Sequence, residues 1–213
     1  MAGIFAPAGH AEEGTPPKLD FVGGYFKDGV YHCYREPCFT IHRNAYPTKN
    51  NINFKLTDWP HWLDLDGNCQ NEDLQTLYRE SQTEPEYGED DPCETIHSGS
   101  WIDPYTGQNI EEAWLMAVDH RISLQEAHLY GATAWPRKKR ALFANAPDNL
   151  VAVSAKAQQE RAYRGAKDWL PDNQQYWCEY VVHRERVAHM FELYFPPEEQ
   201  AVHARIKQLY CKY

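Results

Sequence analysis

Two short stretches decide the fold: Leu115-Met116-Ala117-Val118-Asp119-His120, and Asn149-Leu150-Val151-Ala152-Val153-Ser154 with Ala155-Lys156-Ala157-Gln158 after it. The first is an apolar run ending in an acid and an imidazole. The second is rich in β-formers and breaks into a helical pattern at Ser154, a residue whose hydroxyl can cap a helix N-terminus. Together they predict strand, insertion, strand, then a helix over 156–166. The fold class expected is α+β, with a ββα core, flanking helices and a β-rich or irregular N-terminal segment.

Outward from this core, Ser123 to Tyr130 predicts a helix stopped at Gly131, and Trp135 to Asn145 a second, basic one. Trp101 to Gly107 reads as a strand entering a turn, and Asp73 to Glu80 as a short helix. Apolar residues at helical spacing between Tyr176 and Phe195 predict a long helix stopped by Pro196-Pro197, and Glu198 to Tyr210 a last one. Near the start, Phe21 to Tyr31 reads as a hairpin around Lys27-Asp28-Gly29. The organisation expected is an extension over 1–60 with a tail and a hairpin, a central domain over 61–175, and C-terminal helices over 176–213 packed on it.

The chain of 213 residues is 42% hydrophobic and 14% aromatic, enough for a real core. Its net charge of −10 gives little long-range attraction for nucleic acid, so any such binding needs a local basic patch or a cation. No apolar run reaches membrane-spanning length, so no membrane insertion is expected. Residues 1–17 lack the pattern of an intact signal peptide. Six cysteines allow 15 pairings into three bridges, or free thiols. Cys69 and Cys93 bracket an acidic loop and are the disulfide candidates; paired cysteines would favour a secreted or periplasmic protein. Cys33, Cys38 and His42, with His32 adjacent, could instead ligate zinc. Asp64-Leu65-Asp66-Gly67-Asn68 reads as a polar turn, since its spacing fails that of a full calcium loop.

The chemistry sits at the strand end. Cutting a phosphodiester needs a base for water, a cation for the phosphate and leaving oxygen, and a group that orients the base. Asp119 is a hard oxygen ligand, and the His120 imidazole can act as general base. Gln158, one turn into the following helix, can offer a second ligating oxygen to Mg²⁺ or another divalent cation. Arg137, Lys138, Lys139 and Arg140 form the one dense basic cluster, suited to phosphate contact, and Arg161, Arg164 and Lys167 could extend it. Glu126 could support the histidine.

At these residues the chain resembles the HNH (ββα-metal) endonucleases, in particular their secreted branch akin to the C-terminal domain of GmrSD-type restriction enzymes. The resemblance runs from about His61 to Tyr180. It rests on the ordered set Trp62 to Gln70, Arg79-Glu80-Ser81, Ser98 to Gly107, Val118-Asp119-His120, Leu124 with Glu126-Ala127-His128, Gly131-Ala132, Arg140 with Phe143-Ala144-Asn145, Asn149-Leu150, Val153-Ser154-Ala155 and Trp169-Leu170-Pro171. It implies His120 as general base, Asp119 as metal ligand, and Asn149 as the asparagine that props the loop bearing the base. Gln158 falls where a second metal-ligating Asn is usual, and Arg161 where a Lys is usual. Ala117, Ser123 and Ala146 also depart from the family pattern. The function implied is metal-dependent cleavage of DNA, with RNA as the other candidate substrate. The alternative is an HNH-type shape kept as a nucleic-acid-binding or assembly module.

Overall fold

The structure is a computed structural model. It describes residues 53–88, 93 and 95–211, together with the backbone of 24–27 and 30–33. The chain divides into two units, Met1–Phe39 and Thr40–Tyr213. In the first, β1 (Gly24–Lys27) pairs antiparallel with β2 (Val30–Cys33), with Lys27 opposite Val30, at the predicted hairpin. The zinc candidates Cys33, Cys38 and His42 lie outside the described side chains.

The second unit is α+β. Its centre is an antiparallel ribbon of β6 (Met116–His120) and β7 (Leu150–Ser154), with Asp119 opposite Val151 and His120 opposite Leu150. Helix α4 (Ala155–Arg161) follows β7 directly, and the Ser154 hydroxyl caps it by accepting from the Ala157 N–H. It stops short of the predicted Ala166 because Ala162 turns into a positive-φ conformation (φ 52°), which breaks the helical ladder.

The ribbon is buried on both faces, which explains why its strands read as unbroken apolar runs. One face, with Val118, Leu150 and Ala152, packs on Leu77, Ile96 and Trp101. These come from α1 (Glu72–Glu80) and from β4 (Ile96–Ile102), the centre of a three-stranded sheet with β3 (Glu86–Tyr87) and β5 (Asn109–Glu112). The other face, with Val151 and Val153, packs on Tyr105, Tyr180, Val181 and Ile206. The last three belong to α5 (Trp177–Phe191) and α6 (Pro197–Tyr210). Burying each valine contributes about 1.5–3 kcal/mol.

The insertion between the strands holds α2 (Leu124–Leu129) and α3 (Arg137–Ala144). Ser123 and Glu126 form a reciprocal capping box at the start of α2. Ile122, Leu124 and Phe143 join Trp59, Val187 and Phe195 in a third cluster. Disulfides join Cys69 to Cys93, as expected, and Cys178 to Cys211, which ties the start of α5 to the end of α6. Among the described residues, no helix is long and apolar enough to cross a membrane.

Candidate functional site

Neighbouring residues on a strand point to opposite faces, and Asp119 and His120 obey this. Asp119 turns toward Tyr105 and α4. Its Oδ2 accepts the Tyr105 hydroxyl at 3.0 Å and Arg161 Nη1 at 2.6 Å, while Oδ1 accepts the His120 N–H at 2.9 Å. His120 turns the other way, under Trp62, with ring centroids 5.2 Å apart. The expected arrangement, carboxylate and imidazole together facing the first turn of α4, is therefore not the one found.

Arg161 occupies the Asp119 carboxylate. It sits at the end of α4 with 0% exposure. Besides Asp119, its guanidinium donates to the carbonyls of His120 at 2.6 Å, Arg121 at 3.1 Å and Arg164 at 3.2 Å, and to Glu126 Oε2 at 2.9 Å. Burial works against its charge, but Asp119 first, then Tyr180, Tyr105 and Glu126, outweigh this and hold its pKa well above the ordinary value. The phosphate-contacting role expected for Arg161 is corrected: its donors are spent inside the protein. Glu126, expected to support the histidine, instead joins Arg161 to Arg184 (2.7 Å), which also pairs with Glu199. Glu199 closes the network by accepting the Ala166 and Lys167 N–H groups. Burial opposes its charge too, yet Arg184, His203 and the Lys167 N–H pull its carboxyl below the usual range.

Gln158 Nε2 donates to the Val118 carbonyl at 2.9 Å, which pins α4 to β6. This leaves its Oε1 as one neutral oxygen. Beside it, Asp119 offers a carboxylate already holding three donors, one of them a guanidinium. That set does not fit a seat for a hard dication, which needs several unpaired oxygens. Among the described residues, no group of three or more His, Cys, Asp or Glu stands together as a metal site.

On the opposite face, His120 Nε2 lies 2.8 Å from the Ala144 carbonyl. A carbonyl only accepts, so Nε2 carries the proton and Nδ1 the lone pair. Nδ1 has no protein partner among the described residues. Burial lowers the imidazole pKa from 6.5 to about 4; the Ala144 carbonyl and Asp119 oppose the shift, and His61 and Arg161 add to it. At neutral pH the ring is uncharged and able to accept a proton. Asn149, fully buried, braces the turn just beyond it: Oδ1 accepts the Ile122 N–H at 2.9 Å, and Nδ2 donates to the Ile122 and Phe143 carbonyls.

Sequence reasoning missed His61 and the conformation of Trp62. Trp62 has φ 54°, strained for a bulky side chain. The strain is held by one residue at the end of α3: Asn145 Oδ1 accepts the Leu63 N–H at 2.9 Å, and its Nδ2 donates to the Pro60 carbonyl at 2.9 Å. His61 Nδ1 donates to the Trp59 carbonyl at 2.7 Å, and its ring meets the Trp62 indole edge-on at 5.6 Å. The resemblance begins at this turn, with Trp62 opening its ordered set, but no periodicity signals the conformation of Trp62 or a role for His61.

The basic cluster on α3 is mostly committed. Arg137 donates to the Thr57 carbonyl, Lys139 pairs with Glu192 at 2.9 Å, and Arg140 pairs with Asp58 at 3.7 Å. Lys138 stands exposed without an ion pair among the described residues.

Compared with known proteins, the chain is 34% identical over 124 residues to a protein of Arthroderma benhamiae described as an uncharacterized secreted protein. The match covers 57% of this chain and 58% of that relative's length. No family model matches the chain. No solved structure matches it either.

Proposed function

We propose that this chain is a secreted, HNH-type phosphodiester-cleaving domain with His120 as its general base. The observation that carries the reading is the His120 ring itself. The Ala144 carbonyl fixes its tautomer, the Asn149 brace fixes the turn beside it, and burial keeps it unprotonated at neutral pH. The order β6, insertion, β7, α4 supports the HNH comparison, with the histidine on the last residue of the first strand. The disulfides Cys69–Cys93 and Cys178–Cys211 and the secreted relative support an oxidising, extracellular setting.

The test is cleavage of plasmid DNA and of single-stranded RNA by the purified chain, with Mg²⁺ and with EDTA, beside His120→Ala. Loss of about 100-fold or more in the variant is expected for a general base. Equal traces of cleavage by both proteins would reject the reading.

A second reading has its own observation. The Asp119–Arg161 pair seals the face where the family resemblance implies a metal, which favours an HNH-type shape kept as a binding or assembly module. It predicts no cleavage under any metal condition.

A further inference from the structure

We infer that His61 is a second catalytic imidazole of the same site, and that the substrate is RNA, cleaved without a metal by attack of its own 2′-hydroxyl. The inference rests on the nuclease reading of His120 and deepens it.

Four observations lead to it. Both imidazoles touch the same indole: Trp62 lies 5.6 Å from His61 and 5.2 Å from His120, ring centroid to ring centroid. Each ring is oriented by a main-chain carbonyl on one nitrogen only, Trp59 for His61 Nδ1 and Ala144 for His120 Nε2. Each therefore keeps one nitrogen, His61 Nε2 and His120 Nδ1, with no protein partner among the described residues. The turn carrying His61 and Trp62 is held in strained backbone by the double clamp of Asn145, and such strain persists where surroundings over-determine it, often at active sites.

The chemistry follows from what the site offers. The face bearing Asp119 is closed by Arg161, so the cation that would help water attack a DNA phosphodiester has no seat of fitting oxygens. RNA brings its nucleophile with it, already positioned beside the phosphorus. In the step proposed, His120 Nδ1 takes the proton of the 2′-hydroxyl and the O2′–P bond forms. The P–O5′ bond breaks, and protonated His61 gives its Nε2 proton to the departing 5′-oxygen. The products are a 2′,3′-cyclic phosphate and a 5′-hydroxyl end, and no outside reactant is consumed. The two imidazoles exchange proton states, as a paired base and acid must.

The experiment incubates the full chain with a single-stranded RNA, its 2′-deoxy counterpart and plasmid DNA, in EDTA and in Mg²⁺. Product ends are identified by mass spectrometry, with His61→Ala, His61→Gln and His120→Ala alongside and circular dichroism to verify their folding. Expected are cleavage of RNA in EDTA with cyclic phosphate ends, an intact deoxy oligonucleotide, and losses of about 100-fold or more for His61→Ala and His120→Ala. His61→Gln, which keeps a polar side chain but cannot shuttle a proton, should lose as much. Cleavage of DNA that needs Mg²⁺, depends on His120 and ignores His61 would overturn the inference and leave the nuclease reading standing. RNA cleavage unaffected in both His61 variants would overturn the role of His61. No cleavage of either polymer would overturn both.

Discussion

Replacing Arg161 by Met tests the central claim that the Asp119 face is a closed ion-pair layer. The guanidinium is fully buried and makes five contacts, to two carboxylates and three carbonyls. Glu126 keeps Arg184, so its charge stays compensated. Asp119 keeps only Tyr105 and a main-chain N–H, and the carbonyls of His120 and Arg164 lose a donor. Breaking a buried pair from one side costs about 3–5 kcal/mol, and for a chain of this size that lowers the melting temperature by about 10 °C. Thermal and urea unfolding of Arg161→Met measure it. Adding Asp119→Asn removes the stranded charge and should restore part of the loss, giving a coupling of about 1–3 kcal/mol in a double-mutant cycle. A loss below about 1 kcal/mol, or strictly additive effects, would refute the idea that Asp119 is held chiefly by this guanidinium.

His120 sets a pH dependence of stability. Its pKa falls from 6.5 unfolded to about 4 folded, so between these values the unfolded chain binds more protons. Stability is full above pH 6.5 and declines as the pH drops toward 4, by about 3 kcal/mol from this group; urea titrations of His120→Gln should lack that part of the slope. Replacing Cys178 and Cys211 together by Ser opens a loop with a sequence separation of 33. The loop-entropy model gives a loss of about 3–4 kcal/mol, read by thermal melts of oxidised protein. Asn145→Ala should cost about 1–3 kcal/mol and speed hydrogen exchange at the Leu63 amide, whose acceptor it removes.

The parts of the fold legible in the sequence were those fixed by local rules. The apolar runs at 116–118 and 150–153 became the centre of the ribbon because both of its faces are covered. Ser123, read as the first residue of a helix, and Ser154, read as a cap, stand at helix starts where their hydroxyls accept backbone N–H groups. Of the strand Ile96–Ile102 only its end at Trp101-Ile102 was legible, because the rest carries His97, Ser98, Gly99 and Ser100, a polar run whose place comes from Trp101 donating to the Leu77 carbonyl. At the candidate site, His120 and Asn149 could be singled out from the resemblance. The capture of Asp119 by Arg161 could not, because it depends on where α4 ends and on the Glu126–Arg184–Glu199 partners brought in from α2, α5 and α6. The contact of His120 with Trp62 joins residues 58 positions apart, through a backbone conformation at Trp62 that no composition signals.

Asn145 gives the helix of basic residues a mechanical hold on the turn beside His120. Its single carboxamide grips the Pro60 carbonyl, the Leu63 N–H and the Ala141 carbonyl of α3 at once. Loss of that one side chain would release the turn from α3 at Pro60 and at Leu63 together.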